Sequence, residues 1–186
     1  MSGQATPKSV AAVIVAAGQG LRAGQALPKQ FARWRGKPLV RHSAEAFVAA
    51  GFAPIVVAIP EGADEVAEEA LAGIPEVRFV IGGATRQGSV RAALEALEQD
   101  APDAVFIHDA ARPLLPTEVI QRLLDALADH GGVIPVLPVI DSLVEADGMQ
   151  MGAPALREAL RRVQTPQAFN YKKILAAHRA WQGEAN

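Results

Sequence analysis

Three short segments of the chain carry residues suited to phosphate chemistry. The first is Ala16-Ala-Gly-Gln-Gly-Leu-Arg-Ala-Gly24, followed by Leu27-Pro-Lys-Gln30. Glycines set directly after an apolar run let backbone N–H groups reach phosphate oxygens that side chains would obstruct. The segment also holds Arg22 and Lys29, two cations able to neutralise charge during phosphoryl or nucleotidyl transfer. Gly18, Gly20 and Ala23 match a dinucleotide-binding fingerprint only loosely, since Gly24 and Pro28 interrupt any helix and the first acid is Glu45. No Gly-Lys-Ser/Thr occurs, so it is not a Walker loop. The second segment is Gly82-Gly-Ala-Thr-Arg-Gln-Gly-Ser-Val90. Alone it would serve as a turn with Ser89 near a helix start as N-cap; as a second glycine loop at the same sheet edge, it is placed to read a base or sugar through backbone groups. The third is His108-Asp-Ala-Ala-Arg-Pro113. Asp109 and Arg112 can form a structural ion pair, or face a phosphate-bearing ligand, Arg112 through its planar fork. Asp109 could also approach Mg²⁺, which phosphate-transfer sites hold through one or two carboxylates plus substrate oxygens.

These segments need elements to hold them. Apolar, β-branched runs at Val10–Val15, Ile55–Ile59, Val77–Ile81, Ala104–His108 and Val133–Val139 are mostly too continuously apolar to be half-exposed strands. They suit a parallel sheet covered on both faces. Amphipathic stretches at Leu39–Ala50, Asp64–Leu71, Arg86–Glu98 and Thr117–Ala128 lie between them, so the pattern predicts βαβ units in a doubly wound α/β fold. Ligands of such sheets sit at the carboxyl ends of the strands, where all three segments fall. After Pro138 the alternation stops: a strand at Asp141–Ala146, a turn at Asp147-Gly148 and a short helix at Ala153–Arg162 read as an arm leaving the sheet, before a closing helix at Tyr171–Trp181. Leu143, Val144, Leu156 and Leu160 have no evident place in the core, and predict that the arm joins a homodimer contact.

The chain has 186 residues, half of them apolar and a fifth charged, which fits one domain with a full core and excludes disorder and coiled coil. Cysteine is absent and His42, His108, His130 and His178 lack ligand spacing, which argues against zinc or redox chemistry. A net charge of −2 argues against a general nucleic-acid or anionic-membrane binder. The distribution is uneven: residues 1–44 carry seven basic residues and no acid, giving +7 there and −9 in the remainder. An anionic ligand near that segment, or a solvated basic face, accounts for this equally well. Lys8 followed by Val10–Ala17 imitates a short signal peptide, but Val13, Ile14 and Val15 running into Gly18 make a better buried strand. No stretch approaches the ~20 apolar residues needed to span a bilayer, and a cytoplasmic location is expected.

The order AAGQGLRAG, PKQ, GGATRQGSV, HDAARP, DS and QTPQAF closely resembles the 2-C-methyl-D-erythritol 4-phosphate cytidylyltransferases of the non-mevalonate isoprenoid pathway, over roughly residues 10–170. HDAARP with PKQ and TPQ is the specific part. The resemblance implies a Rossmann-like nucleotidyltransferase fold and transfer of CMP from CTP to the substrate phosphate, with Mg²⁺ and release of pyrophosphate. It implies that Arg22 and Lys29 stabilise the transition state at the α-phosphate, and that Ala16, Ala17, Gly18, Gly20, Gly83, Ala84 and Ser89 hold the nucleotide through backbone groups. Asp109 and Arg112 match contacts to ribose and methylerythritol phosphate. Ser142, where the family commonly has Thr, and Arg157 and Thr165 match the remaining substrate contacts, the arginine being delivered across a dimer by the arm. The QTPQAF form and alanine-rich surroundings resemble the N-terminal half of fused enzymes that also carry a cyclodiphosphate synthase.

Two departures stand against that pattern. Ala84 replaces a commonly acidic residue, which matters little where only its backbone is used. The family's later Thr-Asp-Asp/Glu-Ala and Asn-Ile/Val-Lys motifs fall beyond Asn186, so the expectation is one nucleotidyltransferase domain without its C-terminal segment, binding CTP but turning over poorly by itself. Two other readings stay open: another nucleotidyltransferase, of sugar-phosphate or molybdenum-cofactor type, and a non-catalytic nucleotide-binding module.

Overall fold

The computed structural model describes residues 7–18, 28–181 and 183. Its elements in chain order are β1 (Val10–Val15), the hairpin β2 (Arg33–Trp34) and β3 (Lys37–Pro38), α1 (Leu39–Ala49), β4 (Ile55–Ile59), α2 (Asp64–Leu71), β5 (Val77–Ile81), α3 (Arg86–Glu95), β6 (Ala104–Asp109) and α4 (Thr117–Leu127). Then follow β7 (Gly132–Val133), β8 (Val136–Pro138), β9 (Val144–Asp147), β10 (Gln150–Pro154), β11 (Arg161–Val163), β12 (Gln167–Asn170) and α5 (Tyr171–Ala180).

Six strands form the main sheet in the order β5-β4-β1-β6-β12-β7. The first four run parallel, and β12 lies antiparallel between β6 and β7. Alternation along each strand divides the core in two. Ile14, Ile55, Val57, Ile59 and Phe106 turn to one face, where Val40, Ala44 and Phe47 of α1, Ala67 and Leu71 of α2, and Ile120, Leu123 and Leu127 of α4 cover them. Val13, Val56, Val105 and Ile107 turn to the other, against Val90, Ala93 and Leu94 of α3 and Tyr171 and Leu175 of α5. Being covered on both faces is why these runs are apolar throughout rather than alternating. The fold is therefore the doubly wound, mostly parallel α/β arrangement the sequence implies.

The chain order reverses between β1 and β6: the strands go outward through β4 and β5, then cross back to β6. A reversal of this kind leaves a crevice beyond the carboxyl ends of the two central strands, here after Val15 and at Asp109.

Around residues 132–163 the structure departs from expectation. The run Val133–Val139 is not one core strand. It divides into β7 and β8, and β8 leaves the main sheet to pair with β11 as an exposed two-stranded stem. Beyond the stem, β9 and β10 form a hairpin that turns after Asp147, with Gly148 at φ +57. The arm is thus wider than 141–162, and the helix expected at Ala153–Arg162 is absent: Pro154 ends β10, and Arg157–Ala159 completes one 3-10 turn. Leu156 and Leu160 are exposed, and a short helix without a packed face has too little to hold it.

Candidate active site

Each sequence segment is placed by a strand end. After β1 the chain runs Ala16-Ala17-Gly18, tied to β4 by the Ala16 N–H donating to Ala58 at 2.8 Å. The loop is held from behind by Gln30. Its amide donates to the carbonyls of Ala16 and, at 3.0 Å, Gly18, although the residue is 2% exposed. Gln30 reaches them because Lys29–Phe31 forms a 3-10 turn that buries Gln30 and Phe31 and leaves Lys29 facing out. The Pro-Lys-Gln sequence therefore does two jobs, one cation toward solvent and one amide into the loop.

The second glycine loop packs directly on the first. A Cβ on Gly82 would stand 2.2 Å from the Ala17 Cβ, and one on Gly83 would stand 3.0 Å from the Gly88 backbone. Thr85, not Ser89, caps α3, accepting from the Gly88 N–H at 3.0 Å. Ser89 lies one turn further in, and its hydroxyl lies within reach of two carbonyls, Thr85 at 3.0 Å and Gly83 at 3.3 Å, with one proton to give them. It fixes the loop through its side chain.

Asp109 closes the site from β6. Its Oδ1 receives Arg86 Nε at 2.9 Å, and its Oδ2 lies 3.5 Å from Arg112 Nε. Arg112 also donates to Gln164 Oε1. Next to it His108 is fully buried with Phe47 edge-on at 5.8 Å, and burial pushes its imidazole down to about 4, against the raising effects of the Arg112 carbonyl and Asp109. The ring is neutral at physiological pH. Thr165 meets both neighbours: its Oγ1 is 3.2 Å from His108 Nδ1 and accepts the Asp109 N–H at 3.3 Å.

These loops enclose a cavity of about 680 Å³. Of the expected residues, Ala16, Ala17, Gly18, Lys29, Gly83, Ala84, Ser89 and Asp109 line it. Arg112 and Thr165 border it through Asp109. Arg22 and Gly20 lie outside the described residues. Ser142 and Arg157 are not brought there by their own chain: both are exposed on the arm, where Arg157 borders a separate cavity of about 510 Å³. Gln30, Thr85 and Arg86 line the site without having been expected.

The basic N-terminal segment disperses. Lys37 and Arg41 pair with Glu45 at 2.7 and 2.9 Å, and Arg41 also donates to the Ala70 and Ala72 carbonyls at the end of α2, a favourable place for a cation. Arg35 lies over the Trp34 ring at 4.5 Å. Among its described cations, Lys29 is the one that lines the site.

Residues 10–186 match the family model for IspD, 2-C-methyl-D-erythritol 4-phosphate cytidylyltransferase. The chain belongs to this family. Among IspD relatives, a Novosphingobium aromaticivorans protein named bifunctional enzyme IspD/IspF is 67% identical over 178 residues, covering 96% of this chain and 46% of that protein. A Cereibacter sphaeroides protein bearing the cytidylyltransferase name is 46% identical over 179 residues, covering 95% of this chain and 80% of its own length. The crystal structure of the cytidylyltransferase from Thermus thermophilus superposes with a TM-score of 0.75 at 36% identity, covering 96% of this chain and 80% of that one. The chain spans about half the length of the bifunctional relatives it matches.

Proposed function

We propose that the chain transfers CMP from CTP to 2-C-methyl-D-erythritol 4-phosphate, releasing pyrophosphate, in non-mevalonate isoprenoid biosynthesis. What carries the reading is the meeting of both glycine loops, Lys29 and Asp109 around one cavity at the sheet's reversal point. A phosphate oxygen of the acceptor attacks the α-phosphorus of CTP in line, and pyrophosphate departs. No protein base is required, because the attacking oxygen is already anionic, so catalysis is positioning plus charge neutralisation. Lys29, with Arg22, meets the negative charge that grows on the α-phosphate. The backbone of Ala16–Gly18 and Gly83–Ala84 holds the cytidine moiety, with Ser89 keeping the second loop in shape. Asp109 and Arg112 hold ribose and acceptor.

Among the described residues no cluster of three potential metal ligands occurs. Asp109 is the one carboxylate among them that lines the cavity, and it faces two guanidinium groups. This donor set does not fit an ion held by the protein. In this proposal Mg²⁺ enters already bound to the triphosphate, and Asp109 is not its ligand.

The acceptor half of the site is proposed to be completed by a second copy. Ser142 and Arg157 would cross from the partner's arm, which presents Val144, Met151, Leu156 and Leu160 at 41–79% exposure. Light scattering at micromolar concentration tests the dimer, and a monomer would contradict it. No helix among the described residues is long and apolar enough to cross a membrane, and the proposal takes the cytoplasm as the location. A cyclodiphosphate synthase fused to the same polypeptide is the further partner proposed, in line with the names of the bifunctional relatives. Pyrophosphate release from CTP with the methylerythritol phosphate, set against GTP, UTP and dTTP, tests the reading. Equal use of all four would overturn it.

A further inference from the structure

His108 does not itself line the cavity, yet every polar atom of its ring is engaged by site residues. Its Nε2 lies 3.0 Å from the Arg112 carbonyl oxygen, which can only accept, so Nε2 carries the proton. In the neutral ring Nδ1 is then a bare acceptor, and the partner 3.2 Å away, the Thr165 hydroxyl, has to donate to it. A hydroxyl has one proton and two acceptor positions. The Asp109 N–H occupies one of those positions, which leaves a single lone pair on Thr165. Thr165 is half-buried, so this lone pair can meet a ligand beside Asp109.

We infer that His108 is a positioning residue that fixes the direction of the Thr165 hydroxyl, so that Thr165 accepts a hydrogen bond from a hydroxyl of the bound polyol and does not donate one to a phosphate oxygen. A dianionic phosphate offers no proton, and two acceptors facing each other repel, whereas a polyol hydroxyl can donate. The two ends of the ring thus give opposite services: Nε2–H holds the 108–112 turn that carries Arg112, and Nδ1 turns Thr165 into an acceptor. The identity of the polyol rests on the transfer reading above; the direction of the hydroxyl does not.

The test has two arms on the whole chain. Long-range proton–nitrogen correlation spectra of the imidazoles at neutral pH, with His108 assigned through His108→Asn, should show Nε2 protonated and Nδ1 bare. Thr165→Val should then move the Nδ1 signal and leave Nε2 in place. A protonated Nδ1 overturns the inference whatever the substrate. In the second arm, pyrophosphate release gives KM for the methylerythritol phosphate, kcat, and the inhibition constant of inorganic phosphate as a probe without hydroxyl-bearing carbons. Losing one such hydrogen bond should raise KM about tenfold in Thr165→Val, with a smaller change in kcat and none in phosphate inhibition. Thr165→Ser should restore KM. His108→Phe keeps a ring in the pocket but offers Thr165 no acceptor, so it should raise KM as Thr165→Val does, and the double variant no further. Equal losses in KM and phosphate inhibition would overturn the inference. If the native chain releases no pyrophosphate, the transfer reading fails, and the spectra still decide the hydroxyl's direction.

Discussion

Acidification from pH 7 to pH 5 should remove about 2 kcal/mol of folding stability through His108 alone. The imidazole has an ordinary value of 6.5 and is pushed down to about 4 in the folded protein, chiefly by desolvation behind Phe47 and β6. The folded value is the lower one, so the stability is complete above pH 6.5 and falls as the unfolded chain takes up a proton that the fold refuses. Each pH unit inside that window is worth about 1.4 kcal/mol, and the stretch from 6.5 down to 5 gives about 2 kcal/mol. His178, also lowered by burial and by Arg86 and Arg91, acts in the same direction. Asp100 and Asp103 are held below their ordinary values by Arg78 and by backbone donors of Lys8 and Ser9, so their losses come at lower pH. Urea unfolding at pH 7, 6 and 5, run in parallel on the native chain and on His108→Gln, cancels these common contributions. His108→Gln should start less stable at pH 7 and decline with a slope shallower by about 2 kcal/mol over the range. Parallel slopes would refute the reasoning, because they would mean that the ring is protonated in the fold or already desolvated in the unfolded chain.

Lys29→Ala should lower kcat about a hundredfold while leaving CTP affinity nearly unchanged, since its charge meets one that develops only in the transition state; equal losses in binding and turnover would remove that role. Gly82→Ala should displace the first loop, because its methyl would stand 2.2 Å from the Ala17 Cβ, and should weaken CTP binding in equilibrium titration. Gln30→Ala leaves the Ala16 and Gly18 carbonyls without their amide donor and should cost about 1–3 kcal/mol in denaturant midpoints, with CTP affinity falling alongside. Leu156→Glu, on the exposed arm, should leave the thermal midpoint of one chain unaltered and shift the mass seen by light scattering from dimer to monomer.

The strands that were legible are those whose burial is settled by the sheet itself. β1 and β4 begin and end where their apolar runs do, because residues covered on both faces have no polar alternative; β5, at the sheet edge, keeps the bounds of its run although Arg78 and Ile81 are exposed. β12 was not legible: Gln167-Ala-Phe-Asn170 is short and mixed, and it is a strand because β6 and β7 offer it edges on both sides. The arm misleads for the opposite reason, since its leucines have helical spacing but nothing in their own chain to pack on. In the site, Lys29, the glycine loops and Asp109 could be named from their segments. Arg86 could not, as its role depends on an acid 23 positions later arriving 2.9 Å away. His108 was visible as the first residue of HDAARP and as a histidine without ligand spacing, with no role assigned to its ring; its partners are a carbonyl four residues on and a hydroxyl 57 away.

The placement of β12 between β6 and β7 also sets how late in synthesis the sheet can close. β6 leaves the ribosome with one side paired to β1 and its other edge bare until Gln167–Asn170 follows. At about 5–20 residues per second, the arm and α4 keep that edge, with Val105, Phe106 and Ile107, waiting for several seconds. An apolar strand edge left open is a template for another chain, so the nascent protein is most exposed to mispairing while the arm is being synthesised. Synonymous codon changes that slow translation between residues 110 and 166 should therefore lower soluble yield more than the same changes placed after β12, with the finished protein identical in both cases.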